Sequence, residues 1–226
     1  MNQCIFCKLL SDHTAKMIYK DDFTFTLSIL EESYMDHVLI IIAGMPAAGK
    51  TTFAKYLSEE LRIPLVCKDR VKEILFDKLH YDAKAKSETQ KFGALAYSLS
   101  WHFCEEIMKS GQPLIFESNL GAECPSELRE LVQKYRYYVI SVVFDGDMQI
   151  IHQRFLMRDH SAERHPGLVS GHRFDTLDDF RNAVEACRTF SYGEHVIRVD
   201  TSDFSRVCYH NITQKILSLD KQSKLI

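Results

Sequence analysis

The sequence predicts an α/β fold, a mostly parallel sheet with helices on both faces, preceded by a short N-terminal appendage. Three observations predict it. The apolar run Val38-Leu39-Ile40-Ile41-Ile42-Ala43 leads directly into the glycine-bounded octet Gly44-Met45-Pro46-Ala47-Ala48-Gly49-Lys50-Thr51 and then into a helix-like stretch. Further short apolar runs alternate with helical patterns along the rest of the chain, which implies right-handed crossovers between parallel strands. The segment before about Asp36 has a different texture, with Phe23, Phe25, Leu27 and Ile29 alternating as in a strand with one buried face.

Each element follows from its residues. Phe53, Tyr56, Leu57 and Leu61 recur at helical spacing from Lys50 to about Leu61, and Pro64 closes the connection before a short strand, Leu65-Val66-Cys67. Val71, Ile74, Leu75 and Leu79 mark the next helix. Ser87 to Met108 continues as a long one, with Phe92, Leu95, Leu99, Phe103 and Ile107 as the expected core face, joined by Trp101. Gly111 stops it, and Pro113 to Glu117 makes a third strand. A helix from about Ser126 to Tyr135, a strand Tyr138 to Phe144, a helix around Asp147 to Met157 and a late strand His195 to Val199 complete the pattern. Ligands of such sheets lie at the carboxyl ends of the strands.

Composition narrows the class. At 226 residues, one substantial core with a small appendage is the expectation: residues 1–36 as the appendage, 37–226 as the main domain. The formal charge of −3 argues against a broadly basic nucleic-acid surface. No stretch is long and apolar enough to span a membrane. Seven scattered cysteines and a start without a signal-like pattern point to a cytoplasmic protein with reduced thiols. Oligomeric state is not legible.

The octet is a complete phosphate-binding loop. In such a loop the backbone N–H groups of Gly44, Met45, Pro46, Ala47, Ala48 and Gly49, where present, cradle phosphates, with Thr52 just beyond. Lys50 reaches the β and γ oxygens and the hydroxyl of Thr51 holds Mg²⁺. The helix that starts there adds about half a positive charge.

Four groups fall at strand ends or beyond them. Asp69, in Cys67-Lys-Asp-Arg-Val-Lys-Glu73, is placed to take a proton from an attacking hydroxyl, or to cap the following helix. Glu117 ends the third strand, where an acid binds Mg²⁺ or stands solvated. Ser118 and Asn119 follow, as acceptor contacts or as turn residues. Arg154 and Arg158 lie four apart on one helix, and Arg164 follows in a Pro- and Gly-containing segment that suggests a lid over about 158–171. The alternative is a solvated charged helix paired with Asp159 and Glu163. Cys4 and Cys7 have the spacing of half a zinc site, with His13 and His37 as completing ligands, or are two reduced cysteines.

Two resemblances add to this. Cys4-Ile-Phe-Cys7 and Met17-Ile-Tyr-Lys-Asp-Asp-Phe23 resemble the start of a histidine-triad nucleotide hydrolase over about the first forty residues. That family's His-x-His-x-His run is absent, so its activity is not carried over. From about Val38 to Phe204 the chain resembles a phosphate-loop kinase group that includes polynucleotide 5′-hydroxyl kinase, chloramphenicol phosphotransferase and zeta toxins, the AAA_33-like ATP-binding proteins. The segments that carry it are Gly44 to Thr52, Lys68 to Lys72, Leu114 to Leu120, the arginine segment and Val199-Asp-Thr-Ser-Asp-Phe204. The resemblance implies a phosphate-loop kinase fold, Asp69 as general base, Ser118-Asn119 in place of a threonine-asparagine pair, and Thr201 near the adenine. Lys72 stands where polynucleotide kinases have an arginine. Lysine lacks the bidentate fork, which weakens nucleic-acid end recognition.

The expected function is transfer of the γ-phosphoryl group of ATP to a hydroxyl of a small molecule, with Mg²⁺. Lys50, Asp69 and Arg158 would be catalytic; the loop, Arg154, Arg164 and Thr201 would hold nucleotide; Lys72, Ser118 and Asn119 would meet substrate. A 5′-hydroxyl polynucleotide kinase and a nucleotide-dependent switch protein with slow hydrolysis are the alternatives.

Overall fold

The computed structural model describes residues 15–21, 24–29, 35–82 and 85–223. The chain divides after Asp36 into two units. In the first, β1 (Ala15–Asp21) and β2 (Thr24–Ile29) pair antiparallel with Tyr19 opposite Phe25, and β2 falls on the alternating run. Cys4, Cys7 and His13 lie outside the described residues.

The second unit runs β3 (Val38–Gly44), α1 (Lys50–Leu61), β4 (Leu65–Cys67), α2 (Lys68–Leu79), α3 (Lys86–Met108), β5 (Leu114–Glu117), α4 (Ser126–Tyr135), β6 (Tyr138–Asp145), α5 (Met148–Asp159), α6 (Leu177–Arg188), β7 (His195–Asp200) and α7 (Tyr209–Ser223). Its five strands are parallel, in the order β4-β5-β3-β6-β7. From β3 the chain crosses over α1 to β4, returns to fill the gap with β5, and then moves to β6 on the other side of β3. That reversal beside β3 opens a crevice at the carboxyl ends of the strands. Among the described residues no helix is long and apolar enough to cross a membrane.

β3 is buried along its whole length, which explains its unbroken apolar run. Leu39, Ile41 and Ala43 join Trp101, Cys104 and Met108 of α3 and Leu128 and Val132 of α4 in one core. Ile40 and Ile42 point the other way. On that side Phe53 of α1 meets Phe144 of β6 at 5.3 Å and Tyr209 of α7 at 5.2 Å between ring centroids. Each such fully buried aliphatic or aromatic side chain contributes about 1.5–3 kcal/mol, so β3 is the strand the fold can least lose.

Three features differ from the sequence reading. The buried face of α3 is Thr89, Ala96, Ser100, Trp101, Cys104 and Met108, whereas Leu95 and Phe103 are exposed. Small residues on that face let the helix lie close to the sheet, and this outweighs the larger apolar stripe beside it. In α2 the inward residue is Lys72, with Ile74 and Leu79 turned to the surface. Two helices, α6 and α7, were not anticipated. For α6 a signal existed: Thr176 Oγ1 accepts a hydrogen bond from Asp179 N at 3.1 Å, and Phe180, Val184 and Cys187 then recur at helical spacing.

The end of β3 is pressed against β6. Gly44 has φ +116°, and a Cβ there would lie 2.0 Å from the carbonyl oxygen of Phe144. Gly44→Ala is therefore expected to lose at least about 3 kcal/mol of stability, read from urea unfolding curves, because backbone and not a mobile side chain must give way.

Candidate active site

Residues 44–51 wrap the crevice floor. Met45 N donates to Phe144 O at 2.9 Å, tying the loop to β6. Met45 and Ala48 point into the core, and Ala47 holds a left-handed φ of 62°. Gly49 is the N-cap of α1; it offers no capping side chain, and the first turn holds no acid. The amide groups at this helix end are thus left for an anion. Lys50 is buried and donates to Met45 O at 2.6 Å. Burial lowers its pKa, against the pull of Glu117 and Asp69. Gly49 and Thr52 also line a cavity of roughly 380 Å³ with Phe204, Val207 and Tyr209.

Glu117 lies beneath this loop because β5 pairs with β3, the strand that leads into it, with Glu117 opposite Ile42; on its other side β5 pairs with β4, with Glu117 opposite Cys67. Its carboxylate is 3% exposed and accepts from Thr51 Oγ1 at 3.2 Å and from Cys67 Sγ at 2.9 Å. Burial, with Glu117 adding to it, pushes the Cys67 thiol up and keeps it protonated. No Lys or Arg forms an ion pair with Glu117 among the described residues. A hydroxyl beside a buried carboxylate that lacks a cation is an oxygen donor set suited to Mg²⁺.

Lys68, Asp69 and Lys72 open α2 on one side of its first turns. Lys68 Nζ pairs with Asp69 Oδ1 at 3.0 Å and lies 5.2 Å from the Tyr97 ring centre. Burial would raise the Asp69 pKa, but Lys68, with Lys50 and Arg164 behind it, holds the carboxyl below its usual range. Lys72 is buried and donates to Thr89 Oγ1 at 2.7 Å. Burial first, then Lys68, Arg173 and Arg164, lower its pKa to about 8, against the opposing pull of Asp69.

The segment after α5 folds over this helix. Asp159, buried, accepts from the amide and hydroxyl of Ser170, which closes the neck of a loop. The turn at Pro166–Leu168 rests on α2: a Cβ on Gly167 would lie 2.6 Å from that of Phe76, His165 Nε2 reaches Asp77 Oδ1 at 3.1 Å, and Tyr81 donates to Gly167 O at 3.4 Å. Arg158 and Arg164 lie under it. The Nε atom of each is buried without a hydrogen-bond partner, although that of Arg164 lies 4.0 Å from Asp159 Oδ1, an ion-pair contact. Burial and the neighbouring Arg164 lower the Arg158 pKa to about 10. At the foot of the loop, His160, His172 and Asp175 gather on the surface.

Arg154 does not join this pair. Its guanidinium donates to Thr201 O and Ser202 O and lies 4.0 Å over the Phe204 ring. Thr201 is buried, with its amide and hydroxyl both given to Asp145 O, so its side chain fixes the loop after β7. Ser118 shares a 2.8 Å hydrogen bond with Tyr97, and Asn119 is exposed above it. His37 packs on Tyr137 and against Gly111 and belongs to no cluster of metal ligands among the described residues, so zinc gains no support.

Asp69, Arg158, Arg164 and Leu168 separate two cavities. One of roughly 930 Å³ extends from Thr51 to Phe103. The other, roughly 290 Å³, runs over Pro46 past Asn119 to Lys72 and Arg173. The sequence marks residues 81–97 as the region that chooses the acceptor, and Phe204 as the end of a motif, without singling out Thr89 or Tyr97; it gives no sign of Arg173 or of the Tyr209 ring. Aromatic and threonine residues inside helices carry no local signal of a site, and Arg173 lies just beyond the polar segment that marked the lid.

A parallel sheet with a glycine loop at its reversal point, an uncapped helix end and a buried lysine beneath it defines a phosphate-loop protein of the kinase-like type. Residues 39–183 match the family model described as an AAA domain, and the chain belongs to that family. Among solved structures, a candidate kinase from Chloroflexus aurantiacus is similar with a TM-score of 0.67 and 26% identity, over 83% of this chain and 98% of that one. A shikimate kinase from Bacteroides thetaiotaomicron has a TM-score of 0.49 at 15% identity, over 80% and 97%. A gluconokinase from Sinorhizobium meliloti has 0.47 at 14%, over 83% and 94%. These last two are too distant to inform the acceptor. No curated protein matches the chain.

The lowered Lys72 pKa has a consequence for stability. Below pH 8 both folded and unfolded chains carry the proton and the cost of burying it is felt in full. As pH rises from about 8 toward 10.5 the folded protein releases the proton first and the cost fades. Lys72→Met is therefore expected to be more stable than the parent at pH 7 by about 1–3 kcal/mol, with the difference shrinking above pH 8 in paired thermal unfolding curves.

Proposed function

We propose that the chain is an ATP- and Mg²⁺-dependent phosphotransferase acting on a hydroxyl of a small molecule. The observation that carries it is the convergence of Asp69, Arg158 and Arg164 on one wall of the cavity that runs over Pro46 of the loop. A carboxylate held ionised beside two buried arginines, of which Arg158 keeps an Nε without a hydrogen-bond partner and Arg164 is steadied by Asp159, suits a reaction that moves negative charge past a proton acceptor. The specific likeness to polynucleotide 5′-hydroxyl kinase, chloramphenicol phosphotransferase and zeta toxin belongs to this same reading.

In this scheme the loop amides and Lys50 hold the β and γ phosphates. Thr51 and Glu117 would hold Mg²⁺, which when bound neutralises charge on the β and γ oxygens. The base lies by Phe204, which is 42% exposed, against the Arg154 stack. The acceptor oxygen attacks the γ-phosphorus, the bond to the β-bridging oxygen breaks with its electron pair leaving on ADP, and the hydroxyl proton passes to Asp69. Because Lys68 keeps the Asp69 pKa low, Asp69 orients the hydroxyl throughout and takes the proton late, as the new bond forms. Arg158 and Arg164 close over the equatorial oxygens. Asn119 and Lys72 face the acceptor, while Ser118 stays buried against Tyr97.

Asp69→Asn is expected to lower turnover about 10²- to 10⁴-fold while nucleotide affinity changes little. The check is transfer of label from γ-labelled ATP to pooled alcohols, with nucleotide binding measured alongside; undiminished transfer would remove Asp69 from the scheme. Lys50→Ala is expected to lose both binding and transfer. ATP turnover that no hydroxyl compound stimulates would favour the switch protein, and salt-sensitive transfer to 5′-hydroxyl oligonucleotides the polynucleotide kinase.

A further inference from the structure

The cavity over Pro46 carries more positive charge than a γ-phosphate and a neutral hydroxyl call for. Arg158 and Arg164 suffice for the phosphoryl oxygens, and Lys68 is paired with Asp69. That leaves Lys72 and Arg173, which line the same cavity beyond Asp69. Lys72 is 9% exposed, and its ammonium donates to a neutral hydroxyl, that of Thr89. Arg173 Nε donates to the carbonyl of Ser170. Neither cation has an ion-pair partner among the described residues, and they stand close enough for Arg173 to weaken the basicity of Lys72.

Holding a desolvated ammonium beside like charges is unfavourable by several kcal/mol unless an anion joins it. Phe155, Phe174, Phe180 and Val184 form much of the remaining wall, and this apolar lining strengthens any charge interaction inside. Asp69 is the one carboxylate that lines this cavity, and it is already paired with Lys68.

We propose that the acceptor is itself an anion, a small alcohol bearing a carboxylate or phosphate group, whose negative end is bound between Lys72 and Arg173 while its hydroxyl lies against Asp69. This rests on the kinase reading above. Asp69 and Lys72 are three residues apart on α2, about one helical turn, so a single small molecule spans them. A volume of roughly 290 Å³ suits a hydroxy acid or a sugar phosphate and excludes most of a polymer end. The product would carry a new phosphate ester in addition to its original anion, and the bond made, the bond broken and the proton transferred are those given above.

The test uses the full chain, γ-labelled ATP and matched acceptor pairs differing by one anion: glycerol with glycerate, glucose with gluconate, ribose with ribose 5-phosphate, plus a 5′-hydroxyl oligonucleotide. The expected result is label on anionic members with KM at least about tenfold below that of the neutral partner. The acid and phosphate arms separate the two anions. Arg173→Met and Lys72→Met are expected to raise KM for the anionic acceptor about 10- to 100-fold with a much smaller change in kcat, and Arg173→Lys to restore most of it. Thermal unfolding of each variant checks its fold. Equal use of neutral and anionic alcohols, or label on the oligonucleotide alone, overturns the anionic acceptor while leaving a kinase. No label anywhere, with ATP still bound, takes down the kinase reading and this proposal with it.

Discussion

The carbonyl of Phe144 occupies the space where residue 44 would carry a side chain. Everything at the crevice depends on that approach. With glycine at 44, β3 can end flush against β6, Met45 can donate back across the gap, and the loop then turns under the amide end of α1. A wider separation would lift the loop off β6 and shift Lys50, whose ammonium is held by the carbonyl of Met45. The central strand, the loop and the lysine are one constraint seen at three points. The uncapped end of α1 is the electrostatic counterpart: the same stretch that packs most tightly leaves its donors free.

Around this rigid part the charges are arranged in opposition. Among the described residues neither Glu117, a buried acid, nor Lys72, a buried cation, has an ion-pair partner, and they stand on different elements. They do not neutralise one another because β5 and α2 present them to different spaces, one beneath the loop and the other beside it. Asp69 lies between, balanced by Lys68. A protein selected for stability alone would pair or remove such groups, since replacing buried charge with apolar volume is often neutral or favourable. Their presence is what the proposed reading requires, a metal received in one place and an anion in the other.

Much of this was legible in the residues. β3, the loop and α1 were, because an unbroken apolar run, two fixed glycines and a lysine-threonine pair all specify the same strand, turn and helix. So were the positions of Asp69 and Glu117 at the ends of strands, since each follows closely on a short apolar run. The inward face of α2 was not legible, since Ile74 and Leu79 advertise a core face that tertiary packing turns outward in favour of Lys72. Nor was Arg154, which has the same chemistry as Arg158 but lies one turn earlier on α5 and is captured by the carbonyls of Thr201 and Ser202. Spacing alone cannot say which of two arginines meets a competing acceptor. Thr89 and Tyr97 were hidden for a related reason: each acts through contact with a residue far away in the chain.

The turn at Pro166–Leu168 sits on the same helix that begins with Asp69. Gly167 meets Phe76 with no room between them, and His165 and Tyr81 hold the turn from either side. Lifting the turn must therefore disturb the far half of α2, and rolling α2 must unseat the turn. On the proposed reaction, the loop that carries Arg164 and the helix that carries Asp69 are seated by one set of contacts, and the phosphate side and the acceptor side of the cavity share a common support.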